Sequence, residues 1–373
     1  MAEKPFVYGM SVEGANFTDR EKETERLRKD FENGINVCLI SPRRMGKTSL
    51  VRHVRELAKS PDLAIVYMDI YDCRDEYDFY NRFAYSILKE TSGKLEKMLE
   101  NLQEFLVRLT PKVSFSPGDG DFSVSLGITP QNYRPEEILD LPEKVAAKKG
   151  IRIVVCIDEF QQIGEFKDSL RFQKLLRGIW QHQQNVSYCL FGSKRHLMEK
   201  IFQSRKMPFY MFGEMMLLGF IPSEFWVDYI VGRFSRFGKK ISAAHAREIC
   251  EYVGNYSSYV QQLAWNVLAE TDREVDDAAL ERGKSSLMEQ CGSLFIQQTQ
   301  NLTSYQLNFL RLVATGHHKN LLSAGEQLGY RIGSASNVGK LTEALVEKEL
   351  VETRDGVYLL DPVFGRWFRD NMM

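Results

Sequence analysis

"INVCLISPRRMGKTSLVRHVREL", residues 35–57, decides how the rest of the chain is read. "NVCLI" is a short apolar run of the kind that forms a buried strand. After Lys47 the apolar residues recur at helical spacing. Strand, loop and helix in this order are the setting in which the pattern G-x-x-x-x-G-K-[ST] cradles phosphate. Backbone N–H groups of the loop and the positive end of the helix face the anion. Ser41 stands where the pattern has its first glycine. Serine reaches ordinary φ/ψ regions and keeps its N–H, so the exchange is harmless unless φ is positive there. Ser41, Pro42, Arg43, Arg44, Met45, Gly46, Lys47, Thr48 and Ser49 are therefore the candidate phosphate contacts. Gly46 leaves room for close backbone approach, Lys47 would set its ammonium on the β- and γ-phosphates, and the Thr48 hydroxyl would join a Mg²⁺ shell. The ordinary alternative is a plain strand–turn–helix with a solvated lysine.

A second stretch weighs against that alternative. "RIVVCIDEF" (152–160) is a buried-strand pattern ending in two carboxylates, Asp158 and Glu159. Burying charge at a strand end costs several kcal/mol unless a cation or a water-filled site compensates. In a parallel sheet that end opens onto the ligand crevice. Asp158 is then the expected holder of the Mg²⁺ water shell, and Glu159 the residue that orients and polarises an attacking water. A third strand, "SYCLFGSKR" (187–195), ends in polar residues, of which Ser193 and Arg195 are the candidates to reach a γ-phosphate; either can instead be a helix cap or a surface charge. Loop and carboxylates together predict a nucleotide site.

The first half alternates strand and helix signals. "NVCLI" (36–40), "AIVYMDI" (64–70), "RIVVCID" (152–158) and "VSYCLFGS" (186–193) read as strands, with helical periods between them that include 73–105 and 165–183. Continuous rather than alternating hydrophobicity predicts strands buried on both faces, hence a parallel sheet flanked by helices. "KVSFSPGDGDFSVSLGI" (112–128) interrupts this rhythm as a β-hairpin insertion. From about residue 220 the pattern is helical. The last seventy residues read as three helices followed by "VETRDGVYLLD", a hairpin turning at Asp-Gly, which together make a winged helix-turn-helix. The expected organisation is a parallel-sheet α/β core over 1–219, a helical lid over 220–300 and a winged helix over 301–373.

Composition suits a soluble globular chain: 373 residues, 43% hydrophobic and 27% charged. The formal net charge of −1 gives no global field toward nucleic acid or an anionic membrane. No signal peptide or membrane span is read, and six cysteines lack C-x-x-C spacing. Cys38, Cys156 and Cys189 fall in apolar runs, as buried thiols of a reducing cytoplasm would. His317–His318 is a neighbouring pair whose side chains do not converge on one metal, so a solvated turn is expected.

The motifs also carry a family likeness. "FTDREKETERL" (17–27), "SPRRMGKTSL", "CIDEFQQI" (156–163), "FGS" (191–193), "VGNYSSYVQQLA" (253–264) and "YLLDPVFGRWF" (358–368) resemble the archaeal-type ATPases, AAA-like P-loop proteins of the STAND class. The hairpin at 112–128 is similar to an insertion of bacterial members. The resemblance implies ATP and Mg²⁺ as cofactors and a nucleotide-dependent switch as the role. It implies that Phe17 to Arg20 border the adenine and ribose, with Asp19 in place of the family's glycine. It implies that Gly254-Asn255-Tyr256-Ser257 stands for the family's G-x-P stretch, without its proline. Where the family often has arginine after "PFYMFG", this chain has Glu214. An arginine finger contributes roughly 10³–10⁵ in rate, so Arg195 or Arg205 must serve, or hydrolysis is slow. A slow clock suits a switch better than a motor.

Two roles compete. One is a slowly hydrolysing ATPase switch whose winged helix docks on the core or on an unidentified protein partner. The other is a DNA-associated ATPase anchored to duplex through the winged helix. Residues 303–373 carry eight Lys/Arg and eight Asp/Glu. Phosphate contact dominates DNA affinity, so this balance predicts weak DNA binding and favours the first role. A small-molecule kinase is disfavoured, because such folds do not usually append a winged helix.

Overall fold

The computed structural model describes residues 4–92, 112–115, 122–125, 134–316 and 318–373. The chain divides into two compact units, one of residues 13–219 and one that joins the segment up to Val12 with Phe220–Met373.

In the first unit the strands are β1 (Val37–Ile40), β2 (Leu63–Asp69), β3 (Lys112–Phe115), β4 (Phe122–Ser125), β5 (Arg152–Asp158), β6 (Val186–Gly192) and β7 (Glu214–Leu217). Five form one sheet in the order β2-β5-β6-β1-β7, and every pairing in it is parallel. The parallel α/β core expected from the apolar runs is present, because each run is buried on both faces. Val37 and Leu39 of β1 join Ile65, Val154, Cys156, Cys189 and Phe191 on one face. There they meet Leu27 and Phe31 of α1 (Glu21–Asn33) and Leu50, Val51 and Val54 of α2 (Lys47–Leu57). Cys38 and Ile40 point the other way with Val66, Val155, Ile157 and Leu190. That face is covered by α3 (Glu76–Ser92), α4 (Pro135–Leu139), α5 (Leu141–Lys149), α6 (Ser169–Trp180) and α7 (Arg195–Gln203). Each fully buried Val, Leu, Ile or Phe is worth about 1.5–3 kcal/mol, so a two-sided strand gains nearly twice what an alternating one does. Cys38, Cys156 and Cys189 are free, buried thiols, and burial pushes the Cys38 and Cys189 thiols well above their ordinary range.

β3 and β4 pair antiparallel, with Lys112 opposite Ser125. The Pro-Gly-Asp-Gly turn read between them, and the end of the helical period 73–105, lie outside the described residues. The sequence reading did not include β7. "EMML" is four residues long with no β-branched residue, so only its pairing with β1 makes it a strand.

The second unit is largely helical: α8 (Ser223–Arg236), α9 (Ala243–Tyr252), α10 (Ser257–Ala269), α11 (Asp277–Gln300), α12 (Ser304–Ala314), α13 (Leu321–Gln327) and α14 (Ala335–Glu347). β8 (Val351–Thr353) and β9 (Val357–Leu359) then pair antiparallel, and α15 (Pro362–Met372) follows. Caps mark the starts: Asp276 accepts from Ala279 N at 2.7 Å, and Thr303 and Gln306 form a capping box. The N-terminal segment is part of this unit. The Arg233 guanidinium donates to the Pro5 and Lys4 carbonyls at 2.8 and 3.0 Å, and Phe6 packs against Tyr229 and Phe234.

The end of the chain is fastened to the helices before it. Tyr256 donates to the Leu360 carbonyl and Tyr259 to Asp361 Oδ2, both at 2.6 Å. Arg366 donates to the Tyr252 carbonyl at 2.8 Å. Phe364 and Trp367 pack on Phe295 of α11, and Phe368 on Phe364. His318 meets Thr315 Oγ1 at 2.6 Å, while His317 is outside the described residues.

Candidate functional site

Parallel order sets the site. With β6 between β5 and β1, the C-terminal ends of all three open on the same edge of the sheet. The loop after β1, the carboxylates Asp158 and Glu159 at the end of β5 and Ser193 after β6 are thus neighbours, although 110 residues separate Thr48 from Asp158 and 34 separate Glu159 from Ser193.

The loop turns through two left-handed residues, Arg44 (φ 65°) and Gly46 (φ 88°), whereas Ser41 is not in the positive-φ region. An added Cβ at Gly46 would meet no described residue within 4 Å, so φ and not crowding by the protein favours glycine there. Serine at position 41 costs no backbone strain. Its hydroxyl donates to the Pro42 carbonyl at 3.0 Å and accepts from Lys47 Nζ at 3.2 Å. Lys47 also donates to the Ser41 and Pro42 carbonyls at 3.2 and 3.1 Å. It is 6% exposed and no solvated surface lysine. A buried ammonium needs acceptors, and the loop supplies three oxygens. Met45 and Ser49 are buried, whereas Arg43 and Arg44 are exposed.

Thr48 Oγ1 donates to Asp158 Oδ2 at 2.8 Å. Tyr67 of β2 donates to the same oxygen at 2.8 Å, and the Glu159 amide donates to Asp158 Oδ1 at 2.9 Å. Burial pushes the Asp158 carboxyl above the ordinary carboxylate range; Tyr67 and Thr48 pull it back, and Glu159 and Asp69 add repulsion. Burial also raises the Tyr67 phenol well above its usual value, so it stays a donor at any working pH. Tyr67 is absent from the sequence reading. The signal was its place two residues before a strand end, but only the register that sets Asp69 beside Asp158 makes it meaningful.

Glu159 adopts φ 55°, a left-handed conformation costing a non-glycine residue of order 1–3 kcal/mol and typical of functional sites. Its Oε2 accepts from Ser193 Oγ at 2.9 Å and from the Gln161 amide. Ser193 is therefore brought to Glu159. Arg195 is engaged elsewhere: it opens α7 and donates to Glu199 of the same helix at 2.8 Å. Glu214 pairs with Arg26.

Asp19 and Arg20 are both left-handed, with φ 57° and 78°. Aspartate is among the few residues that tolerate this region. Arg20 is 4% exposed, donating to Glu23 at 2.9 Å, to the Gly219 carbonyl at 2.6 Å and to the Met45 carbonyl at 3.5 Å. Phe17 stacks on His53 with centroids 4.3 Å apart. Gly254 and Asn255 are left-handed too, and Asn255 accepts from Ser223 at 3.0 Å.

A family model described as an ATPase domain predominantly from Archaea matches residues 17–205. The chain belongs to this ATPase family. The loop, Asp158, Glu159, Ser193 and Arg195 all fall within the family's span. Among solved structures the ATPase chain is similar to a Walker-type ATPase of Pyrococcus abyssi at 16% identity, covering 98% of this chain and 100% of that one with a TM-score of 0.72. It is similar to the ORC2 protein of Aeropyrum pernix in its ADPNP–ADP complexes at 14% identity, covering 99% and 96% with a TM-score of 0.59. The ADP form of that protein matches at 13% identity over 96% and 97%, with a TM-score of 0.55. At such identities the likeness is one of fold. No curated protein matches the chain. Among the described residues no helix is long and apolar enough to cross a membrane.

Proposed function

We propose that the chain binds ATP with Mg²⁺, hydrolyses it slowly, and works as a nucleotide-dependent switch of the STAND kind whose C-terminal winged module answers to a protein partner. The observation that carries this reading is the contact of Thr48 with Asp158 at 2.8 Å, beside a lysine that three loop oxygens hold.

The loop N–H groups and Lys47 take the phosphates, with Phe17 and Arg20 toward the base and ribose. The Thr48 hydroxyl and the Asp158 carboxylate are both oxygen donors, the set a hard cation prefers. When bound, Mg²⁺ supplies neutralisation of charge on the phosphate oxygens. Glu159 orients the attacking water and takes its proton, with Ser193 holding the carboxylate.

Slow turnover is supported by Glu214, which sits where an arginine would help and is paired with Arg26. The protein-partner reading is supported by the charge balance of residues 303–373 and by the fastening of α15 on Phe295 and Tyr259. Single-turnover hydrolysis of ATP by wild type and Glu159→Gln tests the core of the proposal. Loss of about 10²–10⁴ in rate with nucleotide affinity kept is the expected result; normal hydrolysis by the variant would place the base elsewhere.

A further inference from the structure

We propose that Gln161 is a positioning residue for hydrolysis: its amide holds the Glu159 carboxylate in one orientation, and Gly192 is a glycine so that this amide fits. The inference rests on the reading of Glu159 as the residue that handles the attacking water.

Gln161 lies in the 3-10 turn Phe160–Glu165 that follows β5 and is 2% exposed. Its Nε2 donates to Glu159 Oε2, the oxygen that also accepts from Ser193. Among the described residues nothing donates to Glu159 Oε1. A carboxylate pinned through one oxygen by two donors presents the other in a fixed direction, and that free oxygen is the one left for water.

Packing alone does not account for a glutamine here. An ionised carboxylate accepts only, so the amide must turn Nε2 toward Glu159. This leaves Gln161 Oε1 buried with no partner among the described residues, a costly state that an apolar side chain of equal size would avoid. That oxygen faces Gly192, the last residue of β6. A Cβ on Gly192 would lie 1.8 Å from Gln161 Oε1 and 3.0 Å from its Cδ. Gly192 is not a positive-φ residue, so space and not backbone geometry calls for glycine. Two strands thus cooperate: the turn after β5 supplies the amide, and the end of β6 supplies both the room for it and, one residue later, Ser193.

The test uses the full chain with Mg²⁺ and ATP, comparing wild type, Glu159→Gln, Gln161→Met, Gly192→Ala and the double variant Glu159→Gln/Gln161→Met. Methionine keeps the length of glutamine and removes the donor, whereas alanine at 192 leaves Gln161 in the chain but displaces its amide. Expected is a loss of about 10–100-fold in single-turnover rate for Gln161→Met and for Gly192→Ala, with nucleotide affinity changed less than about twofold. The double variant should be no slower than Glu159→Gln, because Gln161 acts only through Glu159. An unchanged rate in Gln161→Met and Gly192→Ala overturns the proposal. So does a double variant slower than Glu159→Gln, which would make Gln161 a packing residue. If Glu159→Gln itself hydrolyses normally, the reading of Glu159 fails, and the role of Gln161 fails with it. Should Gln161→Met not fold, Gly192→Ala decides by the same readouts.

Discussion

Thr48 Oγ1 and Asp158 Oδ2 meet at 2.8 Å across 110 residues of sequence, joining the first turn of α2 to the end of β5. The bond closes a buried site in which a carboxylate is kept at a cost, since burial raises its pKa against the pull of its donors.

That cost has a sign in pH. A carboxyl raised above its unfolded value binds protons more readily when folded, so its penalty is full above the raised value and is relieved as pH falls through it. Asp158→Asn keeps an acceptor for Thr48 and Tyr67 and removes the charge, but turns an NH₂ toward the Glu159 amide in place of Oδ1. It should flatten this part of the pH dependence of stability and weaken Mg²⁺-dependent nucleotide binding. Thermal unfolding against pH for both proteins checks it; an unchanged pH dependence in the variant would refute the argument from desolvation.

Tyr67→Phe removes one donor from the same oxygen and little else from the strand. A partner one step behind a metal-binding carboxylate typically costs 10–100-fold in affinity or activity when lost. Mg²⁺-dependent ATP affinity should fall about tenfold, measured by calorimetry with and without the ion. Equal affinity in the two proteins would leave Tyr67 a packing residue.

Arg20 holds the Gly219 and Met45 carbonyls through Nη2 and Glu23 through Nη1, a planar fork that lysine does not reproduce. Arg20→Lys should therefore loosen the phosphate loop and weaken ATP binding. The orphaned carbonyls should cost about 1–3 kcal/mol in denaturant unfolding. Wild-type stability and affinity together would show that the clamp is incidental.

Arg195 is held by Glu199 in a half-exposed pair four residues apart. Such a pair is worth about 0.3–0.5 kcal/mol, too little to lock the guanidinium away. Glu199→Gln should raise basal turnover only about twofold. Arg195→Ala should lower it tenfold or more if Arg195 swings to the phosphates. No change in Arg195→Ala would pass the role to another arginine, with Arg205 next in line.

Tyr259→Phe deletes the bond to Asp361, the residue whose carboxylate also caps α15 through Val363 and Phe364. A lost hydrogen bond to a charged group costs about 1.5–3 kcal/mol. If the terminal module takes part in the switch, nucleotide release should change in this variant with no DNA present. Unaltered release, together with steep salt-dependent duplex affinity in wild type, would favour the DNA-anchored alternative.

What the sequence by itself determined is local. Lys47 and Thr48 after an apolar run, Asp158 and Glu159 at the end of another, and two-sided hydrophobicity in four strands are patterns of near neighbours. Periodicity and burial cost suffice to read them, and the parallel core follows. The tertiary structure decided what depends on register between distant segments. Only the placement of β6 between β1 and β5 brings Ser193 to Glu159, and only the pairing of β2 with β5 brings Tyr67 to Asp158. Four residues of "EMML" became a strand because β1 had an unpaired edge. Lys47 became buried because the loop folded back over its ammonium. Hydrogen bonds and close contacts of this kind form between groups that no local pattern links, and the energy that selects them is released only when the sheet closes.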